Sequence, residues 1–479
     1  MMSLATLLLA LIAPITLWIA SRHWQRALFG VFVLLIFEGA LRKWVLPGAQ
    51  AQIYLLKDVI LLGVYLGFFL DRRRTQPTLR DGRAIKIILV VAFGFGCLEV
   101  LNPSSPSVLV GLAGLKTYFL YAPIAFVLPY AIKSREHLLY LVRWYLVIAI
   151  PVALLGFVQV AAGPNSFIST YVSYSDDPAV LVRFGQAYDL VRTSGTFSYI
   201  SGYSAYLSFI AFLAIGYNMA QSWRIKGNVV LLLALTVVIG AMFTTGSRGP
   251  IFTLIATGPI IFWLAVTGRI LALRTAVRMA VTVLVVGFVA LNLSPRAYEG
   301  FSNRVSESGD STISRLLAPF DQTAEALSEA PVFGVGIGTT HPSAMAIMGT
   351  DWPWWLQGMF TEAEMARVTV ELGFVGLFLT YLLRLLIAVV AFRSSLSFKD
   401  PVYRSFGIVL AIYLGLGVIG SIILNPTAGL YYWGSLGLVF AMRRLEQTAH
   451  RKVKTDQEFA WDQRWRTARP ARSAVMGEN

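Results

Sequence analysis

Apolar blocks of roughly 17–25 residues recur along the whole chain, and a helix of that length crosses about 30 Å of hydrocarbon. Nothing constrains the fold more, because only helices or closed barrels satisfy their own backbone groups in lipid. The remaining composition fits. Hydrophobic residues make up 56% and charged residues 14%, where a soluble domain averages about 25% charged. The blocks lie near 4–20, 26–46, 53–70, 84–101, 108–132, 138–162, 200–220, 228–246, 249–267, 276–293, 367–392, 405–424 and 427–442. The expectation is an all-α polytopic membrane domain over residues 1–442, with about 12–13 transmembrane helices, followed by a polar, partly disordered tail over 443–479. Leu4–Ala20 lacks a basic start and a small-residue cleavage site, so it reads as a first span and not a signal peptide.

The net charge of +15 does not imply nucleic-acid binding, since cytoplasmic loops of membrane proteins collect Lys and Arg. Basic groups follow every second span: Arg72 to Lys86, Lys133 and Arg135, Arg224 and Lys226, Arg269 to Arg278, and Arg393 to Arg404. Those loops read as cytoplasmic, which puts the N-terminus outside and the C-terminus inside. The single cysteine, Cys97, excludes an internal disulfide, and the four histidines show no metal-ligand spacing.

Two long loops then fall outside, 163–199 and 294–366. The second contains Ser311–Ser328, with apolar residues at Ile313, Leu316, Leu317, Phe320, Ala324 and Leu327. That spacing predicts an amphipathic helix at the membrane surface, kinked or split at Pro319.

An ionisable side chain at the bilayer centre costs about 2.5–3.5 kcal/mol or more, so those retained usually serve a site. Glu38, Arg42, Lys43, Lys57, Asp58, Glu99, Lys116, Arg192 and Arg248 all fall at the outer face, where the positive-inside rule disfavours cations. Guanidinium groups bind phosphate oxygens in pairs and lysine adds a point charge. The set predicts a site for a phosphate or pyrophosphate on an amphiphile. Singly, each residue could instead snorkel or pair with a carboxylate.

The large loop adds Arg304 and Arg315, the glycine-rich run 329–338, His341, and Trp352, Trp354 and Trp355, which suit either an interfacial anchor or a sugar-stacking surface. Glu362 and Glu364 follow. Glu364, Arg367 and Glu371 share a helical face at the start of a span. A carboxylate there could take a proton from a sugar hydroxyl or hold the arginines in place. No paired repeat and no broken helix is apparent, which counts against a transporter or flippase for an anionic lipid-linked glycan, the rival reading.

The order of Arg192-Thr193-Ser194-Gly195-Thr196-Phe197, Ser247-Arg248-Gly249, the long loop with its 329–338 segment, and Glu371-Leu372-Gly373-Phe374-Val375-Gly376 resembles the O-antigen ligase and polymerase superfamily over about 190–395. The resemblance implies a glycosyltransferase of the bacterial inner membrane, a glycosyltransferase C-like fold, and a donor glycan on undecaprenyl pyrophosphate. It implies an acceptor glycan or lipid, no cofactor, and a role in O-antigen, capsule or exopolysaccharide synthesis. By the same resemblance Arg248 and either Arg304 or Arg315 bind the pyrophosphate, and the outer-face cations Arg192 and Lys116 join them on the charge argument above. The family's His-Asn pair before Glu-Leu-Gly is replaced here by Glu362, with Glu364 close by. Glu362, Glu364 and His341 are therefore the candidate catalytic residues.

Overall fold

The computed structural model describes residues 4–71, 82–172, 191–220, 229–267, 312–349 and 362–468, with isolated positions between 277 and 302. The helices are α1 (Leu4–Arg22), α2 (Trp24–Ala40), α3 (Gln50–Leu70), α4 (Arg83–Glu99), α5 (Val108–Phe119), α6 (Ile124–Ala131), α7 (Arg135–Ala162), α8 (Ile200–Ala220), α9 (Val229–Thr244), α10 (Arg248–Val266), α11 (Thr312–Glu329), α12 (Pro342–Met348), α13 (Glu364–Ser397), α14 (Pro401–Leu416) and α15 (Pro426–Ala468). This is an all-α polytopic membrane fold. Among the described residues, four helices are long and apolar enough to span on their own: α3 with its Pro47 lead-in, α7, α8 and α13. The pair α5 and α6 forms a fifth candidate bent by 44°, and α10, α14 and most of α9 are shorter apolar helices.

The bundle is organised around α8, whose residues are apolar on nearly every side, as an enclosed helix requires. It packs against α7, α9, α10, α14 and α15. Aromatic rings fill this core. Phe209 stacks on Tyr431 at 4.3 Å, and the Tyr145 and Tyr431 hydroxyls are 2.7 Å apart.

Four local features depart from the hydropathy reading. The block 108–132 is broken at 120–123 into α5 and α6. Pro319 does not split α11, which is one continuous helix. The last helix does not stop near 442 but continues to Ala468. Finally, α13 is broken at Gly373, where φ is 61° and ψ is −163°. The expectation of no broken helix is thereby corrected. A straight helix would put Glu364 and Arg384 about 30 Å apart at 1.5 Å per residue, yet the two side chains form an ion pair. The segment 364–372 therefore folds back beside the membrane-crossing part, 374–397.

Candidate functional site

The break at Gly373 frees backbone carbonyls just before it. They are taken by the glycine-rich segment: Val335 N–H donates to Val370 O at 2.9 Å and Gly336 N–H to Glu371 O at 3.0 Å. A Cβ on Gly373 would lie 2.0 Å from Val332 O, and one on Gly338 would lie 2.5 Å from Gly114 Cα. Only glycine fits at either contact, so the loop is wedged between α5 and the break in α13. The Glu371 carboxylate holds it there. It accepts from Gly338 N–H (3.0 Å), Thr340 N–H (2.9 Å), Thr340 Oγ1 (2.7 Å) and Tyr118 Oη (2.7 Å).

This anchoring places His341 at the start of α12, buried beside Lys116 and Arg367. Arg367 donates to Thr340 O at 3.1 Å. Burial first, and then the positive charges of Lys116 and Arg367, push the His341 imidazole down to about 4. It is neutral at neutral pH and a weaker base than a free imidazole.

Lys116 connects His341 to a larger basic cluster. Its Nζ lies 2.6 Å from Asp58, and Tyr121 Oη donates to Asp58 at 3.2 Å. One ring, that of Tyr54, gathers three cations: Lys57 Nζ at 3.7 Å, Lys116 Nζ at 4.5 Å and Arg42 Cζ at 5.2 Å from its centroid. Glu38 is shared by Lys57 (2.9 Å) and Arg42 (3.5 Å). Arg42 and Lys43 lie on a π-helical turn, Leu41–Val45, closed by Leu46 N–H to Leu41 O at 2.8 Å. The wider turn brings both side chains to one segment, 194–198. Arg42 donates to Ser198 Oγ (2.9 Å), and Lys43 to Ser194 Oγ (3.0 Å) and Gly195 O (2.8 Å).

Residues 192–198 form the bridge to the last two arginines. Gln159 of α7 clasps Gly195, accepting from its N–H at 2.9 Å and donating to its carbonyl at 3.1 Å. Thr193 N–H donates to Thr244 O at 3.0 Å, and their hydroxyls are 2.6 Å apart. Arg192 Nε donates to Thr245 O at 3.4 Å, in the turn that leads to Arg248 at the start of α10. Contacts therefore run from the turn before Arg248 through Arg192, Lys43, Arg42 and Lys57 to Lys116, whose charge, with that of Arg367, acts on His341.

Residues 229–381 match the family model described as O-antigen ligase. The matched region runs from α9 through the Arg248 turn, the glycine loop and the break at Gly373. Over these residues, about a third of its length, the chain is similar to the O-antigen ligase family. No curated protein and no solved structure matches it. Arg248, His341, Arg367 and Glu371 fall inside the matched region, and Arg42, Lys43, Lys57, Lys116 and Arg192 lie outside it.

The structure joins Arg192 and Lys116 through one run of contacts, places Arg248 just after the turn that Arg192 meets, and sets His341 where Lys116 acts on its charge. Arg304 lies outside the described residues, as do the tryptophans at 352–355. Arg315 is on α11, with only its backbone described. Glu362 is exposed just before α13. Glu364 is engaged elsewhere. Its carboxylate accepts from Arg384, Ile422 N–H (3.0 Å), Ile423 N–H (2.8 Å) and Leu424 N–H (2.8 Å). Four donors fill the lone pairs of a carboxylate, so this geometry makes Glu364 an anchor for residues 417–425 in place of the expected base. Arg384 completes the clamp by donating to Val418 O (3.1 Å) and Gly420 O (3.0 Å). Sequence reasoning missed Tyr54, Gln159 and Arg384. An arginine in the middle of an apolar block was the available signal for Arg384.

Proposed function

We propose that this protein transfers a glycan from an undecaprenyl pyrophosphate carrier to an acceptor hydroxyl, as a polysaccharide polymerase or ligase of the bacterial inner membrane. The observation that carries the reading is the run of cations at one edge of the bundle, where Arg42, Lys57 and Lys116 gather on the Tyr54 ring and meet Glu38 and Asp58 among the described residues. Such a gathering calls for an anion held at the membrane edge, and a lipid pyrophosphate supplies it. With the basic loops inside, this edge faces the periplasm and the C-terminus is cytoplasmic.

In the reaction the acceptor oxygen attacks the anomeric carbon of the donor. The bond from that carbon to the pyrophosphate oxygen breaks, and its electron pair leaves with the carrier. Arg248, Arg192, Arg42 and Lys116 stabilise the charge that grows on the leaving group, as preorganised cations do. The acceptor proton passes to His341, which is neutral and buried beside Lys116 and Arg367. Those two cations help hold its pKa down. A bound pyrophosphate partly neutralises them, so donor binding raises the basicity of His341 when it is needed.

One observation favours the rival transporter. A broken helix such as α13 is a common element of transport sites. Here the carbonyls freed by the break are occupied by Val335 and Gly336, which closes it to an ion or substrate. Purified full-length protein in proteoliposomes with a labelled polyprenyl-pyrophosphate oligosaccharide separates the readings. Longer or relocated glycan together with free carrier supports transfer. Donor moved across the bilayer at its original length overturns it.

A further inference from the structure

The helix α11 divides its surface into three arcs, not two. Thr323 and Ala326 are buried, and Ala326 packs with Val335, Ala366 and Val370. Gln322 accepts from Ala363 N–H at 3.0 Å, which ties the helix to the start of α13. A second arc, displaced around the helix, is apolar yet exposed: Leu317 at 48%, Phe320 at 48% and Leu327 at 42%, with Ala324 between them. A third arc carries Asp321, Glu325, Ser328 and Glu329, all exposed. A helix on a water-soluble surface needs only the first and third.

The apolar arc continues into Val332 and Phe333, 64% and 58% exposed. Phe333 meets Phe95 of α4 with ring centroids 6.5 Å apart. At that end of α4 the outward residues are Phe93 and Leu98, followed by Leu101, all exposed and apolar, as on a lipid-facing surface. The exposed arc of α11 is thus continuous with the surface that the bundle presents to acyl chains.

We infer that α11 lies in the membrane interface on the side of the cationic site, its Leu317–Phe320–Leu327 arc and Val332–Phe333 in the acyl-chain region and its acidic arc in water. The bilayer then forms the third wall around this helix. Because α11 runs through Ala330 and Pro331 into the glycine loop, the same contact steadies the loop that positions His341. The inference is independent of the reaction proposed above.

Site-directed quenching tests it on the full chain in lipid vesicles. Cys97 is the single cysteine, so a Cys97→Ala background accepts one fluorophore at a time through Phe320→Cys, Leu327→Cys, Asp321→Cys or Ser328→Cys. Brominated acyl chains are expected to quench labels at 320 and 327 several-fold more than labels at 321 and 328, and aqueous iodide to do the reverse. Equal quenching at all four positions overturns the inference. So does protection of 320 and 327 from both quenchers, which would put a protein on that arc.

Discussion

Two buried ionic clusters lie in the same half of the molecule and are built on different principles. In the Glu364–Arg384 clamp one carboxylate meets one guanidinium, the amides of 422–424 fill the carboxylate, and Val418 O and Gly420 O accept from the guanidinium. In the cluster around Tyr54, Arg42, Lys57 and Lys116 meet Glu38 and Asp58 among the described residues, and Lys43 beside them bonds Ser194 and Gly195. The first is balanced and its bonds run inward to the fold. The second has more cations than carboxylates among the described residues, and uncompensated charge costs free energy in a low-dielectric setting. A balanced cluster is what holding a chain segment requires; a surplus is what receiving an anion requires. Proximity to the apolar interior is common to both, so charge balance is the informative difference.

Breaking the clamp should produce the largest loss of stability. Glu364→Ala strands Arg384 and three backbone amides, and removal of one partner from a buried pair costs about 3–5 kcal/mol. Thermal unfolding in detergent should show a large drop in midpoint and in folded yield; an unchanged midpoint would dissolve the distinction between the clusters. Gly373→Ala comes next. Its φ of 61° suits glycine and its new Cβ would strike Val332 O, with strain of about 1–3 kcal/mol before the clash is counted. Loss of stability should be accompanied by faster proteolysis of the 330–341 loop.

In the open cluster the expected pattern is reversed. Arg248→Ala should leave folding nearly intact while slowing glycan transfer about 10–100-fold, the equivalent of one charge-assisted hydrogen bond of about 1.5–3 kcal/mol. Initial rates at matched protein levels measure this, and a full rate would remove Arg248 from the site. The pH response is smaller and signed. Because burial and two cations hold the folded His341 pKa near 4, below the usual 6.5, the folded state takes up fewer protons than the unfolded chain. Stability from this residue is present above about pH 6.5 and is lost as pH falls toward 4. His341→Gln should flatten that part of the stability profile and abolish transfer. Least affected should be Glu362→Gln, whose exposed carboxylate predicts less than a twofold change in rate.

Much of this was legible in the sequence, though unevenly. Apolar length located α9 and α10 to within a few residues, because both are plain apolar helices set apart by the 245–247 turn. The sidedness of the charges also singled out Arg42, Lys57, Lys116 and Arg248 as a group. What stayed hidden depends on contacts distant in sequence. Hydropathy sees Glu371-Leu372-Gly373 as the start of a span; the break appears only when the amides of Val335 and Gly336 claim the carbonyls there. Glu364 read as a base for the same reason, since its partners Arg384 and residues 422–424 lie far along the chain. The amphipathic pattern of α11 was visible, but not that its apolar residues split between a buried and an exposed arc.

The central claim is that the surplus cations hold a lipid pyrophosphate. Binding of undecaprenyl pyrophosphate to the protein in nanodiscs, measured for the wild type and for Lys116→Gln and Arg42→Gln, tests it most directly. The account predicts saturable binding that weakens about 10–100-fold in each variant, as loss of one charge-assisted contact implies, while thermal midpoints fall less than in Glu364→Ala. Equal affinity in all three proteins would contradict it.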